Sequence, residues 1–177
     1  MKSYLFPILL LLMATAGNTQ SVYQLSVKDI DGNPINLNAY AGKKILFYLL
    51  PLSASDSGFL QLQAFKSRYL DTVQVIGVPS IEDGFQQSSG AASLKALYSN
   101  LGIIITQGMH TRKSSGANQS ELMQWLTNKS KNLHFDMDAL GIGHKFFVSG
   151  TGRAFAVMPP QVPLTAPLFD RIVRSPN

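Results

Sequence analysis

Two features of the 177-residue chain have residue types and spacing that could do chemistry: a serine in a polar loop and a His-x-Asp-x-Asp stretch. Ser55 lies in LPLSASDSG, at the end of the apolar run KILFYLLPL. A serine becomes a hydrolytic nucleophile only when an imidazole within hydrogen-bond reach takes its proton. His110, His134 and His144 are all distant in sequence, and no Gly-x-Ser-x-Gly frames Ser55. A polar loop serine accounts for it more simply. In His134-Phe135-Asp136-Met137-Asp138, an extended backbone would set the imidazole and both carboxylates on one face. That oxygen and nitrogen set suits a divalent ion. The plainer reading is a solvated segment in which Asp136 or Asp138 caps a helix. Ser55 for hydrolysis and His134/Asp136/Asp138 for metal are therefore the weak candidates, and no cofactor is expected.

The count that excludes most is zero cysteines. Disulfides, thiolate metal sites, thiol nucleophiles and dithiol relays are chemically impossible within these residues. The formal charge of +5 arises from 15 basic and 10 acidic residues without a basic block or stripe, so nucleic acid is not an expected partner. With 45% hydrophobic and 14% charged residues, the chain also lacks the composition of a disordered segment.

The N-terminus reads as an export signal. Lys2 precedes an apolar run over residues 5–16, and Ala14-Thr15-Ala16 supplies small residues where a signal peptidase cuts. The run is shorter than the roughly 20 residues needed to span hydrocarbon. Residues 1–16 are thus predicted to be a signal peptide, with cleavage as late as residue 20. Residues 17–177 are predicted to be a single domain, secreted or periplasmic, with no membrane span after cleavage. A domain of that size buries roughly 70% of its unfolded surface and does not depend on disulfides.

The elements that must position the candidates follow from periodicity. Residues 22–30 alternate as a strand, and Asp31-Gly32-Asn33-Pro34 is a turn. Residues 44–52 are nearly continuously apolar, as in a buried central strand. Leu62, Phe65 and Tyr69 mark an amphipathic helix, and VQVIGV at 73–78 the next strand. A helix with Leu94, Leu97 and Leu101 is expected over 89–101, and a short strand over 103–106. Asn118, with Glu121 three residues on, is the expected capping box of a helix bearing Leu122, Trp125 and Leu126. Trp125 is expected in the core. His144 should be a partly buried residue opening a hairpin, 144–148 with 153–158. Thr165 should open a last helix with Leu168, Ile172 and Val173 on one side. This order, with strands separated by helices and then a hairpin, calls for a three-layer α/β/α sandwich with a mixed central sheet.

The run VYQLSVKDIDGNPINLNAYAGKKILFYL resembles the opening of glutathione peroxidases. VIGVPS resembles that family's strand before its phe-pro-cys-asn-gln segment. HKFFVSGTGRAFAVMPP resembles its late hairpin, and PLTAPLFDRIV its closing helix. The resemblance spans most of residues 17–177 and implies the thioredoxin-like fold of the glutathione peroxidase type. It breaks at the catalytic motifs. Ser55 falls at the peroxidatic cysteine or selenocysteine, Glu82 at the glutamine, and Gly141 and Ile142 at the tryptophan and asparagine. A serine hydroxyl has no reversible oxidation ladder, and a carboxylate at Glu82 would repel a developing anion.

The expectation is an exported glutathione-peroxidase-like pseudoenzyme that binds an unidentified protein or small molecule or acts structurally. Two rivals stay open: an enzyme with re-purposed chemistry, metal-assisted or hydrolytic, and a glutathione peroxidase by family membership, with a role in oxidative stress. A histidine beside Ser55, or convergence of the three metal candidates, would favour new chemistry.

Overall fold

A computed structural model describes residues 20–69 and 71–176. The predicted signal peptide lies outside them. Strand β3 (Lys44–Leu49) carries the architecture: all six of its residues are buried. Ile45, Phe47 and Leu49 point to one face, and Leu46 and Tyr48 to the other. A strand apolar on both sides is stable only between two layers, and this one is the middle strand of five.

β4 (Val73–Val78) pairs parallel to β3, and β5 (Ile104–Ile105) pairs parallel to β4. On the other side, β6 (Lys145–Val148) runs antiparallel to β3, and β7 (Ala154–Met158) antiparallel to β6. The order β5-β4-β3-β6-β7 makes the sheet mixed, as the element pattern predicts. A two-residue hairpin, β1 (Val27–Lys28) with β2 (Pro34–Ile35), precedes it.

Helices α1 (Ser57–Tyr69), α2 (Gln87–Tyr98) and α5 (Leu168–Arg174) bury Leu62, Phe65, Leu94, Phe169 and Val173 in one cluster. The opposite face is covered by α3 (Glu121–Thr127) and the N-terminal segment, through Leu122, Trp125, Leu126, Val22 and Leu37. A short α4 (Lys129–Asn132) follows α3. The sandwich therefore has the expected three layers. Among the described residues no helix is long and apolar enough to cross a membrane.

Four local expectations are corrected. The strand over 22–30 is instead a 3-10 turn, Val22–Gln24, followed by β1. Ser21 and Gln24 form a reciprocal capping box there, and these local bonds outcompete a ladder. The cap of α3 is Ser120, whose hydroxyl accepts from the Met123 N–H at 3.4 Å, while Asn118 ends the preceding 3-10 turn. The Ser120 N–H is held by the His110 carbonyl at 3.1 Å, which sets the helix start two residues later. The last helix begins at Leu168 rather than Thr165. Its buried face is Phe169 and Val173, because Phe169 packs on Phe65 and Phe147. Finally, His144 is fully rather than partly buried.

Gly77 marks where α2's side of the sheet is tightest. A Cβ there would sit 2.6 Å from the Leu50 Cγ, inside van der Waals contact, and Leu50 is itself buried. Gly77→Ala should therefore destabilise the fold by about 1–3 kcal/mol through overpacking, read as a lower urea midpoint with unchanged m-value.

Candidate functional site

The loops after β3, β4 and β5 all leave the carboxyl ends of parallel strands, the edge at which open α/β sheets bind ligands. Antiparallel β6 starts at the same edge: the Leu49 N–H donates to the His144 carbonyl at 3.0 Å, and the Gly143 N–H to the Leu49 carbonyl at 2.8 Å. All four residues singled out by the resemblance therefore belong to one end of the sheet.

Ser55 is exposed in the loop after β3. Its hydroxyl lies 2.9 Å from that of Ser53, and its N–H donates to the same Ser53 oxygen at 3.3 Å. Asp56 follows, accepting the Gly58 N–H at 2.7 Å and so capping the first turn of α1. Among the described residues no histidine or other base is hydrogen-bonded to the Ser55 hydroxyl.

Glu82 is the centre of the edge. Its carboxylate accepts from the Thr111 N–H at 2.9 Å, the Thr111 hydroxyl at 3.2 Å, the Ser80 hydroxyl at 3.3 Å and the Ser115 hydroxyl. His110 Nδ1 lies 3.2 Å from the same group. Burial pushes the carboxyl up, but the hydrogen bonds from Ser115 and the Thr111 backbone outweigh it and hold it at about 2. Beside it, Arg112 donates to Asp83 at 2.6 Å, while the second Asp83 oxygen and Arg112 Nε are buried without a partner.

A simple register brings these groups together. Ser80 bridges Met109, and the contacts Glu82–Thr111 and Asp83–Arg112 continue the pairing, each 29 residues apart. The sequence reading missed this network: it placed Glu82 only through the resemblance and considered His110 only as a base for Ser55. The available signal was complementary charge: an acidic pair just past β4 and a basic cluster just past β5, on neighbouring parallel strands. Glu82 with His110 is the carboxylate–imidazole half of a general base. Ser115, however, donates to the carboxylate, and no hydroxyl is hydrogen-bonded to the other imidazole nitrogen among the described residues.

Gly141 is buried against this ion pair. A Cβ there would stand 3.3 Å from an Asp83 carboxylate oxygen and 3.6 Å from the Arg112 guanidinium, and its φ of +109° disfavours any side chain. Ile142 beside it is half-buried. Below the edge, Lys145 is fully buried and donates to the carbonyls of Pro159, Pro160 and Val162, the last at 2.5 Å. Burial lowers it to about 8. His144 stacks on Phe146 at 4.5 Å and accepts the Leu140 N–H at Nδ1, and burial pushes it down to about 4. It is a neutral imidazole of the interior.

The weak metal candidates do not converge. The Lys113 amine donates to Asp136 at 2.5 Å, Asp138 accepts the N–H groups of Lys113 and Ala139, and His134 is exposed. Among the described residues no three His, Asp or Glu side chains are grouped to hold an ion.

Solved structures align over nearly the whole described chain. The fold is thioredoxin-like. Trgpx in its apo form shares 18% identity, covering 89% of this chain and 98% of its own, with a TM-score of 0.64. GPX1 of T. cruzi shares 14% over 82% and 90%, with a TM-score of 0.62. A thiol-disulfide isomerase from Corynebacterium glutamicum shares 16% over 89% and 96%, with a TM-score of 0.61. Two of these three are GPX proteins, in keeping with the resemblance carried by the sequence. No family model and no curated protein matches the sequence.

The Glu82 network makes a pH-dependent contribution to stability. Its carboxyl is depressed from an ordinary 4.5 to about 2, so its stabilisation is fully present above 4.5 and is lost as pH falls towards 2. Glu82→Gln should cost about 1–3 kcal/mol at neutral pH and flatten that acid limb, as measured by urea unfolding from pH 2 to 7.

Proposed function

We propose that the protein is an exported, single-domain pseudoenzyme: a thioredoxin-like scaffold of glutathione peroxidase type whose peroxide-reducing centre is lost and whose role is binding or structural. The observation that carries this reading is the absence of any cysteine from the sequence. Peroxide reduction needs a nucleophile that accepts an oxygen atom reversibly, and a thiolate does so through its sulfenate. Ser55, in the loop after β3, has no such chemistry.

The surroundings support the same reading. The Glu82 carboxylate would oppose an anion at this edge, and its lone pairs are already committed to Ser80, Thr111 and Ser115. Gly141 has no room for an indole beside Asp83 and Arg112. The Lys2, apolar and Ala14-Thr15-Ala16 sequence supports export, to the periplasm or outside the cell. The partner is a protein or small molecule that meets the rim formed by the loops after β3 and β4 and before β6.

The purified chain should consume hydrogen peroxide no faster than a protein-free control with either glutathione or thioredoxin as donor; turnover above that control overturns the proposal. Ser55→Cys should restore at most weak activity. Each missing donor to a developing anion lowers a rate by about 10²–10³-fold, and Glu82 and Gly141 supply none. Activity comparable to a thiol peroxidase in that variant would show that the edge remains competent.

A further inference from the structure

The opposite end of β6 carries a groove that plays no part in the candidate site. It lies between the β6–β7 turn and the segment after α4, in two adjoining concavities of about 510 and 570 Å³ that share His134, Thr151 and Arg153. Volumes of this size hold a small molecule. Trp125, almost wholly buried with its indole N–H donating to the Gln20 carbonyl at 2.6 Å, and Leu133 both line the first of the two concavities.

The wall is built and rigidly held. Asn132 is buried, its amide donating to the carbonyls of Trp125, Leu126 and Phe135 and its oxygen accepting the N–H groups of His134 and Phe135 at 2.7 and 2.8 Å. This clamp holds Leu133 at φ +65°, the only non-glycine residue with positive φ among those described, with its side chain 54% exposed. A branched apolar residue in a left-handed conformation is strained and persists only where its surroundings over-determine it. The result is an apolar surface displayed beside a groove rather than folded away.

The polar lining has one sign. Among the described residues neither concavity is lined by an aspartate or glutamate, whereas both are lined by the Arg153 cation, with the His134 ring as a further polar group beside it. The Arg153 side chain is exposed and makes no hydrogen bond or ion pair among the described residues. Glu121, which accepts from the Gln20 amide at 3.4 Å, is not part of the lining. A free guanidinium is a bidentate receptor for a carboxylate-like head.

We propose that this groove binds an organic anion with an apolar body, its negative head on Arg153 and His134 and its body against Leu133 and the Trp125 wall. The site is independent of whether the redox centre is lost, since it lies at the other end of the sheet.

Trp125 is the single tryptophan of the chain, so its emission reports the groove directly. Octanoate is the probe, because it has an anionic head, an apolar tail and no interfering absorbance; octan-1-ol is its neutral counterpart. Octanoate should shift Trp125 emission saturably, and octan-1-ol should bind at least tenfold more weakly. Arg153→Gln should weaken octanoate at least tenfold, leave octan-1-ol unchanged and leave the thermal midpoint unchanged, because the guanidinium has no partner among the described residues. Leu133→Asn, which suits the left-handed backbone, should weaken both probes without loss of the fold. The proposal is overturned if octanoate gives no saturable shift, or if Arg153→Gln binds it as tightly as the parent chain.

Discussion

The burial of β3 on both faces is the constraint on which the rest depends. Six consecutive buried residues, hydrogen-bonded to a parallel strand on one side and an antiparallel strand on the other, leave no freedom in the centre of the sheet. Each fully buried aliphatic or aromatic side chain contributes about 1.5–3 kcal/mol, so a shift of register by one residue would be strongly disfavoured. With β3 so held, the loops that follow β3, β4 and β5 and the one that precedes β6 must emerge at one edge. The four loops of the candidate site therefore share one end of the sheet.

What occupies that edge is a network of hydrogen bonds and an ion pair. Glu82 spends its acceptor capacity on the neighbouring loop, and the Asp83–Arg112 pair fills the space beside Gly141. A carboxylate depressed to about 2 is a poor base, and a histidine lowered to about 4 inside the core is no acid at neutral pH. The polar groups here act as cross-braces between two strand ends. The opposite end of the sheet presents the reverse arrangement: a cation with no partner among the described residues and an exposed leucine beside a groove.

Much of this was legible from residue order. The continuous apolar run over β3, the exact span of β4, the face of α1 marked by Leu62, Phe65 and Tyr69, and the β6–β7 hairpin all follow from hydrophobic period, because each buries a face the local pattern already defines. The start of the chain and the caps of α3 and α5 were misread for a shared reason. Several polar residues near each boundary could cap, and distant groups decided which one did: the His110 carbonyl for Ser120, and Phe65 with Phe147 for the phase of Phe169.

The sequence by itself determined that these residues supply no thiol, since the absence of cysteine is a property of composition that no folding can alter. It also determined the layer architecture, through periodicities of two and 3.6 that act over a few residues at a time. Only the tertiary structure decided which polar side chains meet. Glu82 and Thr111 are 29 residues apart and are joined by the register of two parallel strands, and Leu133 and Arg153 share a groove because an asparagine clamp sets the one opposite the hairpin turn of the other. Such contacts depend on orientation and on the burial of distant segments, and neither is encoded in local spacing.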